Sequence, residues 1–544
     1  MNLLTARRIS QVFFLLLFIW LCMVLQEGQE WWQLSGWPVN LFLELDPLAM
    51  LGVLASSGVI HGGMLLALLT LLATMLWGRI FCGFVCPLGT LNHFISWLRM
   101  RNLNRVARSK LNQYHPAQRI KYYLLALFVA AALAGQYLIF IDPIPLLQRT
   151  VTLVIVPWWQ EARQYQQAAP MALLLMTLLL SNLWRPRFFC RYLCPLGALL
   201  GLVSRLAWWR PRLSAKACIN CGRCSANCQA AAEPQVNPMV HECVQCLNCL
   251  ELCPTSAISF NGKSVEPNPP VNVSRRLVVS ALALGALGVA CSRVEPAPRL
   301  RPPGALPEAK FLARCLRCGQ CIAVCPGNVL QPLSIVHGVE NYLTPILNYN
   351  LGSCRLNCNA CAQVCPSSAI APFNQAMRQG LDGHEPIRLG LASINRNLCL
   401  PWAYNKPCLV CEENCPTSPK AINTRMVTHP LTGWLTIERY SIDGTIEVAE
   451  KIAVPSGVDL LARVYSQHEG LAVEAVFDNR IKLSHPTTMV GTGMSLQLCT
   501  KLAQPYVNPH LCVGCGVCQH VCPLEKAKGV VVYPENKNNS TLFI

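Results

Sequence analysis

Cys218, Cys221, Cys224 and Cys228 follow the pattern C-x2-C-x2-C-x3-C, and Cys243, Cys246, Cys249 and Cys253 repeat it, with Pro254 directly after. Three thiolates this close in sequence bind one cubane of iron and sulfide, while the fourth reaches a neighbouring one. The expected ligand sets are Cys218, Cys221, Cys224 with Cys253, and Cys243, Cys246, Cys249 with Cys228. Structural zinc usually takes two separated pairs, so a doubled run of four points to iron–sulfur chemistry.

Four more quartets follow. Cys315, Cys318, Cys321 and Cys325 keep the regular spacing, as do Cys512, Cys515, Cys518 and Cys522. The two between are irregular: Cys354 stands before Cys358, Cys361 and Cys365, and Cys399 before Cys408, Cys411 and Cys415. A nested exchange of fourth ligands is expected here. It pairs Cys315, Cys318, Cys321 with Cys522, and Cys512, Cys515, Cys518 with Cys325. It also pairs Cys354, Cys358, Cys361 with Cys415, and Cys399, Cys408, Cys411 with Cys365. Six 4Fe–4S clusters are expected in all. Of 31 cysteines, the quartets and the motif described next leave Cys22, Cys291 and Cys499; Cys22, inside an apolar run, reads as packing.

A second cysteine pattern occurs twice. GRIFCGFVCPLGTL (78–91) returns as RPRFFCRYLCPLGAL (185–199), and ELDPL (44–48) returns as FIDPIP (140–145). Each half reads helix, Asp-Pro, helix, Cys-x-x-x-Cys-Pro-Leu-Gly. Parallel repeats are related by an axis along the membrane normal, which would gather Cys82, Cys86, Cys190 and Cys194 at one edge. Four convergent thiolates hold an iron–sulfur centre or another metal; two pairs of small buried residues would look the same in sequence. Asp46 and Asp142 also have two readings. They are N-caps ahead of a first-turn proline, or carboxylates near the outer face that accept protons from a quinol.

Positioning these groups falls to apolar runs near 10–26, 60–77, 122–141 and 170–184, each close to the ~20 residues that cross a bilayer. Arg7 and Arg8 precede the first run, a basic loop from Arg99 to Lys121 joins the second and third, and Arg185 to Lys216 follows the fourth. The positive-inside rule makes these loops cytoplasmic. Composition agrees, with 53% hydrophobic and only 13% charged residues. The net charge of +18 clusters beside apolar segments, which fits membrane topology and not nucleic acid. A nucleotide-binding Gly-rich loop and a C-x-x-C-H haem site are both absent. The expected fold is an α-helical membrane domain over 1–210, four transmembrane helices in two parallel repeats, then a cytoplasmic two-cluster α+β ferredoxin-like domain over 211–265.

VSRRLVVSALALGALGVAC (273–291) begins like a twin-arginine export signal and ends like a lipoprotein cleavage box at Cys291. The expectation is an uncleaved fifth span over 270–291, then a Pro-rich linker over 292–308. Residues 309–544 would form a periplasmic four-cluster ferredoxin-like domain, with a β-rich insertion near 424–500.

Residues 1–260, with two FCxxxCPLG repeats and a two-cluster tail, resemble the membrane quinol dehydrogenase subunit of the NapH/NosR-like group. Residues 270–544, with Ser-Arg-Arg, a short apolar run and four quartets, resemble its partner of the NapG/MauM ferredoxin type. The resemblance implies quinol oxidation at a bacterial inner membrane, with clusters on both faces. It also implies electron delivery to a periplasmic oxidoreductase, such as nitrate reductase, or a cytochrome. The implied partners are membrane lipid, quinone or quinol, and that oxidoreductase, with no nucleic acid. The fusion and the long insertion before Cys512 depart from the family pattern. Two other readings stay open: a redox maturation or metal-reducing factor like NosR and CcoG relatives, and an electron-transfer subunit that feeds quinone from an extracytoplasmic dehydrogenase.

Overall fold

The computed structural model describes residues 3–25, 37–137, 140–159, 168–236, 238–261, 271, 273–292, 298–454, 459–465 and 470–534. The chain packs as two units, Met1–Leu347 with Asn357–Glu385, and Asn348–Leu356 with Pro386–Ile544. Within the linker expected at 292–308, residues 293–297 lie outside the described residues.

The first unit is helical and organised by its first helix, Leu3–Val24. At the start of that helix the Leu4 N–H donates to Glu251 Oε1 at 3.0 Å and Arg7 donates to the Cys246 carbonyl. At its other end Val24 and Leu25 pack with Val324, Ala360 and Val364, beside Cys321 and Cys358. A rise of 1.5 Å per residue makes this helix about 33 Å long, so it holds the 218–253 quartets apart from those at 315–365.

Among the described residues, Leu3–Val24 alone is long and apolar enough to cross a membrane. Of the four expected full spans, this one alone is shown among the described residues. The other three runs form the shorter helices Gly62–Trp77, Ile120–Leu133 and Ala169–Leu183. Positive-φ glycines end two of them, Gly78 (φ 71°) and Gly135 (φ 95°), a conformation that stops a helix at little steric cost. Apolar sequence goes instead into short helices started by Asp-Pro or Cys-Pro: Pro47–Ser57, Pro87–Met100, Pro143–Thr150 and Pro195–Val203. The proline lies at the first helical position, where its missing N–H costs nothing.

Arg275–Ser292 is one continuous helix packed on Ile120–Leu133. A Cβ at Gly285 would stand 2.4 Å from the Leu127 carbonyl oxygen, so only glycine lets the backbones approach. Leu277, Val279, Leu284 and Leu287 of this helix, like Phe13, Leu16, Leu69, Leu72, Leu173 and Met176 on others, are exposed apolar side chains.

One polar network ties the helices to the 218–253 segment. Lys121 and Glu242, both essentially without solvent exposure, form an ion pair, and Gln118 and Tyr122 donate to the same carboxylate at 3.2 and 3.3 Å. Arg79 Nη1 donates to the His241 carbonyl at 3.0 Å.

Among the described residues of the second unit, seven antiparallel strands lie between Ile422 and Val507. Leu435–Tyr440, Thr445–Val448, Arg480–Leu483, Leu471–Phe477, Leu460–Val464 and Ser495–Val507 pair in that order, and the last pairs back to the first, closing a small barrel. Ile422–Pro430 adds to the outside of Ser495–Val507. Ile437, Ile446, Val448, Val464, Ile481 and Leu498 fill the interior. Closure leaves fewer unpaired edges, the feature that makes exposed strands prone to aggregate.

Removing one partner of a buried ion pair strands the other charge, a loss of about 3–5 kcal/mol. Glu242→Gln should therefore lower the thermal midpoint of the full chain sharply. The double variant Lys121→Met/Glu242→Leu should recover most of that loss; a midpoint unchanged in Glu242→Gln would refute a structural role for the pair.

Candidate iron–sulfur sites and the repeated motifs

The four regular quartets share a backbone device. The residues two and four after the first cysteine are left-handed: Asn220 and Gly222, Gln245 and Leu247, Arg317 and Gly319, Gly514 and Gly516, with φ between 50° and 82°. Left-handed residues alternating in a turn aim successive N–H groups at one centre, forming an anion-binding nest. At the matching place in the irregular quartets, Asn359 and Leu409 have ordinary negative φ, −130° and −116°. Gly516 is fixed by packing as well, since a Cβ there would meet the Tyr349 ring at 1.9 Å.

The fourth cysteines accept from the backbone that follows them. Ala232 N–H donates to Cys228 Sγ at 3.3 Å, Ala257 to Cys253 at 3.2 Å, Ile370 to Cys365 at 3.4 Å and Gly529 to Cys522 at 3.3 Å. Such bonds stabilise negative charge on sulfur. Burial pushes the Cys228 and Cys243 thiols up to about 12, with neighbouring thiols adding to the effect. Bare thiolates are therefore disfavoured in these sites, and a bound cation is what makes them acceptable. Among the described residues no three such side chains converge tightly enough for a single metal ion. The thiols instead ring small cavities, as ligands of a multi-iron cluster do.

Those cavities overturn the nested pairing. In the first unit, Cys315, Cys318 and Cys321 share a cavity with Cys365 and not with Cys522. In the second unit, Cys399, Cys408 and Cys411 share one with Cys522, and Cys512, Cys515 and Cys518 share another with Cys415. In these three cavities the fourth cysteine comes from the quartet adjacent in sequence and not from the nested partner. The physical reason is that Cys315–Cys325 and Cys512–Cys522 fold into different compact units. Cys325, Cys358 and Cys361 lie in the first unit and Cys354 in the second, where its N–H donates to the Cys515 carbonyl at 2.9 Å. In the 218–253 segment, Cys228 lies electrostatically among Cys243, Cys246 and Cys249, and Cys224 faces Cys221.

The repeated motifs converge. Cys86 and Cys194 are N-caps of Pro87–Met100 and Pro195–Val203, accepting from Gly89 N–H at 3.3 Å and Gly197 N–H at 3.1 Å. Cys86 and Cys194 belong to one apolar core, and Cys82 and Cys190 pack against it. Gly83 packs directly under the Val244 carbonyl of the adjoining quartet segment.

Asp46 and Asp142 are both 0% exposed and within hydrogen-bond reach of each other. Asp46 caps its helix through Oδ1, taking Leu48 N–H at 2.9 Å. Asp142 makes no capping bond; its carboxylate accepts from the Tyr137 hydroxyl at 3.5 Å instead. Asp46 Oδ2 and Asp142 Oδ1 have no hydrogen-bond partner. Arg149, also buried, faces Tyr137, Asp142 and Cys318, with both Nη atoms unbonded. Cys318 and Leu316 belong to the same apolar core as Cys86, Cys194 and Ile144. Sequence reasoning missed Tyr137 and Arg149, which belong to neither repeat. It also missed Arg79 and Arg187, although each stands three residues before the first cysteine of its motif.

The family model described as "4Fe-4S binding domain" matches residues 59–105 and 167–216, the two motif-bearing segments. The "4Fe-4S dicluster domain" model matches 314–369. Among curated relatives, YccM of Escherichia coli K12, named for electron transport, is 27% identical over 262 residues, 47% of this chain and 71% of its own. The methylamine utilization ferredoxin-type protein MauN of Methylorubrum extorquens is 30% identical over 35% of this chain and 61% of its own. The ferredoxin-type protein NapG of Escherichia coli K12 is 32% identical over 165 residues, 29% of this chain and 68% of its own. No solved structure matches.

The dicluster match and the cavities agree on Cys365, which makes a specific prediction. Cys365→Ser should remove about four irons per chain. Adding Cys315→Ser should remove no more, whereas adding Cys399→Ser should remove about four further irons; anaerobic iron analysis of the three variants checks the pairing. Through its NapG-like segment and its 4Fe–4S domains, the chain belongs to the family of ferredoxin-type electron-transport proteins that includes NapG.

Proposed function

We propose that this chain is a membrane-bound quinol dehydrogenase relay, a NapH-like half fused to a NapG-like half, which delivers electrons to a periplasmic oxidoreductase or cytochrome. A nitrate-reductase-like enzyme is the favoured recipient. The observation that carries this reading is the carboxyl pair Asp46 and Asp142, fully buried, each two residues from a member (Leu48, Ile144) of the apolar core that also holds Cys318 of the first outer quartet. Proton acceptance and electron acceptance would thus sit side by side.

Six 4Fe–4S clusters in the quartets would supply one-electron acceptance, and Cys82, Cys86, Cys190 and Cys194 would hold a further centre. Quinol oxidation releases two protons and two electrons: Asp142, free of a capping role, would take one proton, the unpartnered Oδ2 of Asp46 would take the other, and the electrons would pass singly to the clusters. Tyr137 would orient the Asp142 carboxylate, and Arg149 would steady the negative charge that develops. The exposed apolar side chains of the helices support contact with lipid, and the ~33 Å length of Leu3–Val24 matches a hydrocarbon core of about 30 Å. Its two ends contact different quartets, which supports clusters on both faces of a bacterial inner membrane. The cysteine tetrad, in the same core as the aspartates, supports an intermediate between them.

The oxidised chain, kept anaerobic in detergent, should bleach its cluster absorbance when given a menaquinol or ubiquinol analogue. Asp142→Asn should slow bleaching by about 10²-fold or more with iron content unchanged. Rates equal to wild type would remove the proton-accepting role, and no bleaching with any quinol by fully loaded protein would remove the quinol dehydrogenase reading itself.

A further inference from the structure

Arg79 and Arg187 occupy equivalent places in the two repeats, R-I-F-C-G-F-V-C-P and R-F-F-C-R-Y-L-C-P. Each is 1% exposed. None of the three side-chain nitrogens of Arg187 has a hydrogen-bond partner, and Arg79 Nε has none. Arg187 is also held in the left-handed region, φ 50°, a strained choice for a long side chain. A buried guanidinium without partners is strongly unfavourable unless an anion shares its site.

The nearby carboxylate Glu242 faces Arg79 but also neutralises Lys121, so it does not balance both cations. Arg7 and Lys121 add to the positive total, and Gln118 and Tyr122 donate to the same carboxylate. What remains are the thiols. Arg79 faces Cys82 and Cys194, and Arg187 faces Cys190. A Cβ on Gly197 would lie 2.7 Å from Arg79 Nη2 and 3.3 Å from Cys194 Sγ, so the Arg79 guanidinium and the Cys194 thiol flank the same glycine. The repeat therefore crosses over, with an arginine of the first half set against a cysteine of the second.

We propose that Arg79 and Arg187 are the paired charge-balancing anchors of an anionic iron–sulfur centre held by Cys82, Cys86, Cys190 and Cys194. A cubane with four thiolates is negative, and one-electron reduction makes it more so. Two fixed cations favour the reduced form and raise the potential of the centre, which suits an acceptor between the aspartate pair and the 218–253 clusters. Arg79, bonded to the His241 carbonyl, also ties the tetrad to those clusters. This inference rests on the reading of the tetrad as a metal centre.

The test uses the full chain in detergent, reconstituted anaerobically, with iron and sulfide analysis and an EPR-monitored redox titration. Cys82→Ser/Cys190→Ser should lower iron by about four per chain and remove one titrating component. Arg187→Gln and Arg79→Gln should shift that same component to lower potential, and Arg187→Lys should restore part of the shift. If Arg187→Gln loses the centre while Arg187→Lys keeps it, the charge requirement stands. Equal loss in both, or an unmoved potential in both glutamine variants, overturns the role of the arginines alone. Unchanged iron in the cysteine variant overturns the centre itself, and the further centre proposed above with it.

Discussion

Negative charge on sulfur has to be compensated wherever thiolates are buried, and much of this chain is arranged to meet that demand. In the regular quartets the compensation comes from the backbone, through left-handed residues such as Asn220 and Gly516 that turn N–H groups inward. At the fourth cysteines it comes from a single following amide, as from Ile370 to Cys365. In the repeated helical motif it comes from helix N-termini, with Cys86 and Cys194 as N-caps, and on our reading from Arg79 and Arg187. Three kinds of local structure thus answer one electrostatic requirement.

Repetition does the second part of the work. Each Asp-Pro and each Cys-x-x-x-Cys-Pro element starts a short helix and by itself is half a site. Packing the halves together makes pairs: Asp46 with Asp142, and Cys82 and Cys86 with Cys190 and Cys194. The pairs are not symmetric in use. Asp46 is committed to capping while Asp142 is not, so two identical motifs have unequal chemistry. That inequality gives the proposed proton acceptor its identity.

On the proposed function electrons must cross a full hydrocarbon thickness, too far for one fast hop, and a continuous packed core lies along that path. Cys86, Cys194, the Asp-Pro helices and Cys318 share one packed cluster of side chains. The loop Leu316–Gly319 presses into it, with Gly319 against Leu153 and Arg317 bonded to the Tyr137 carbonyl. On the proposed function, this shortens the gap that separate domains on two faces would leave.

The cysteine spacing by itself determined that the chain holds thiol quartets of ferredoxin type, because ligand geometry is local: C-x2-C-x2-C places three sulfurs around one centre whatever surrounds them. The two repeats were equally legible, as was the β-forming character of residues near 424–500. Which fourth cysteine serves which quartet was not legible, since Cys365 and Cys522 are followed by the same proline, and the division of the chain into compact units alone distinguishes them. Helix length also escaped the sequence. An apolar run such as 60–77 counts as a span by composition, yet where it stops depends on Gly78 and on helices packed beside it. Only the tertiary structure could bring Arg79 against Cys194, or Arg149 beside Asp142 and Cys318. These neighbours come from segments far apart along the chain, and their interactions exist only once burial removes the water that would screen them.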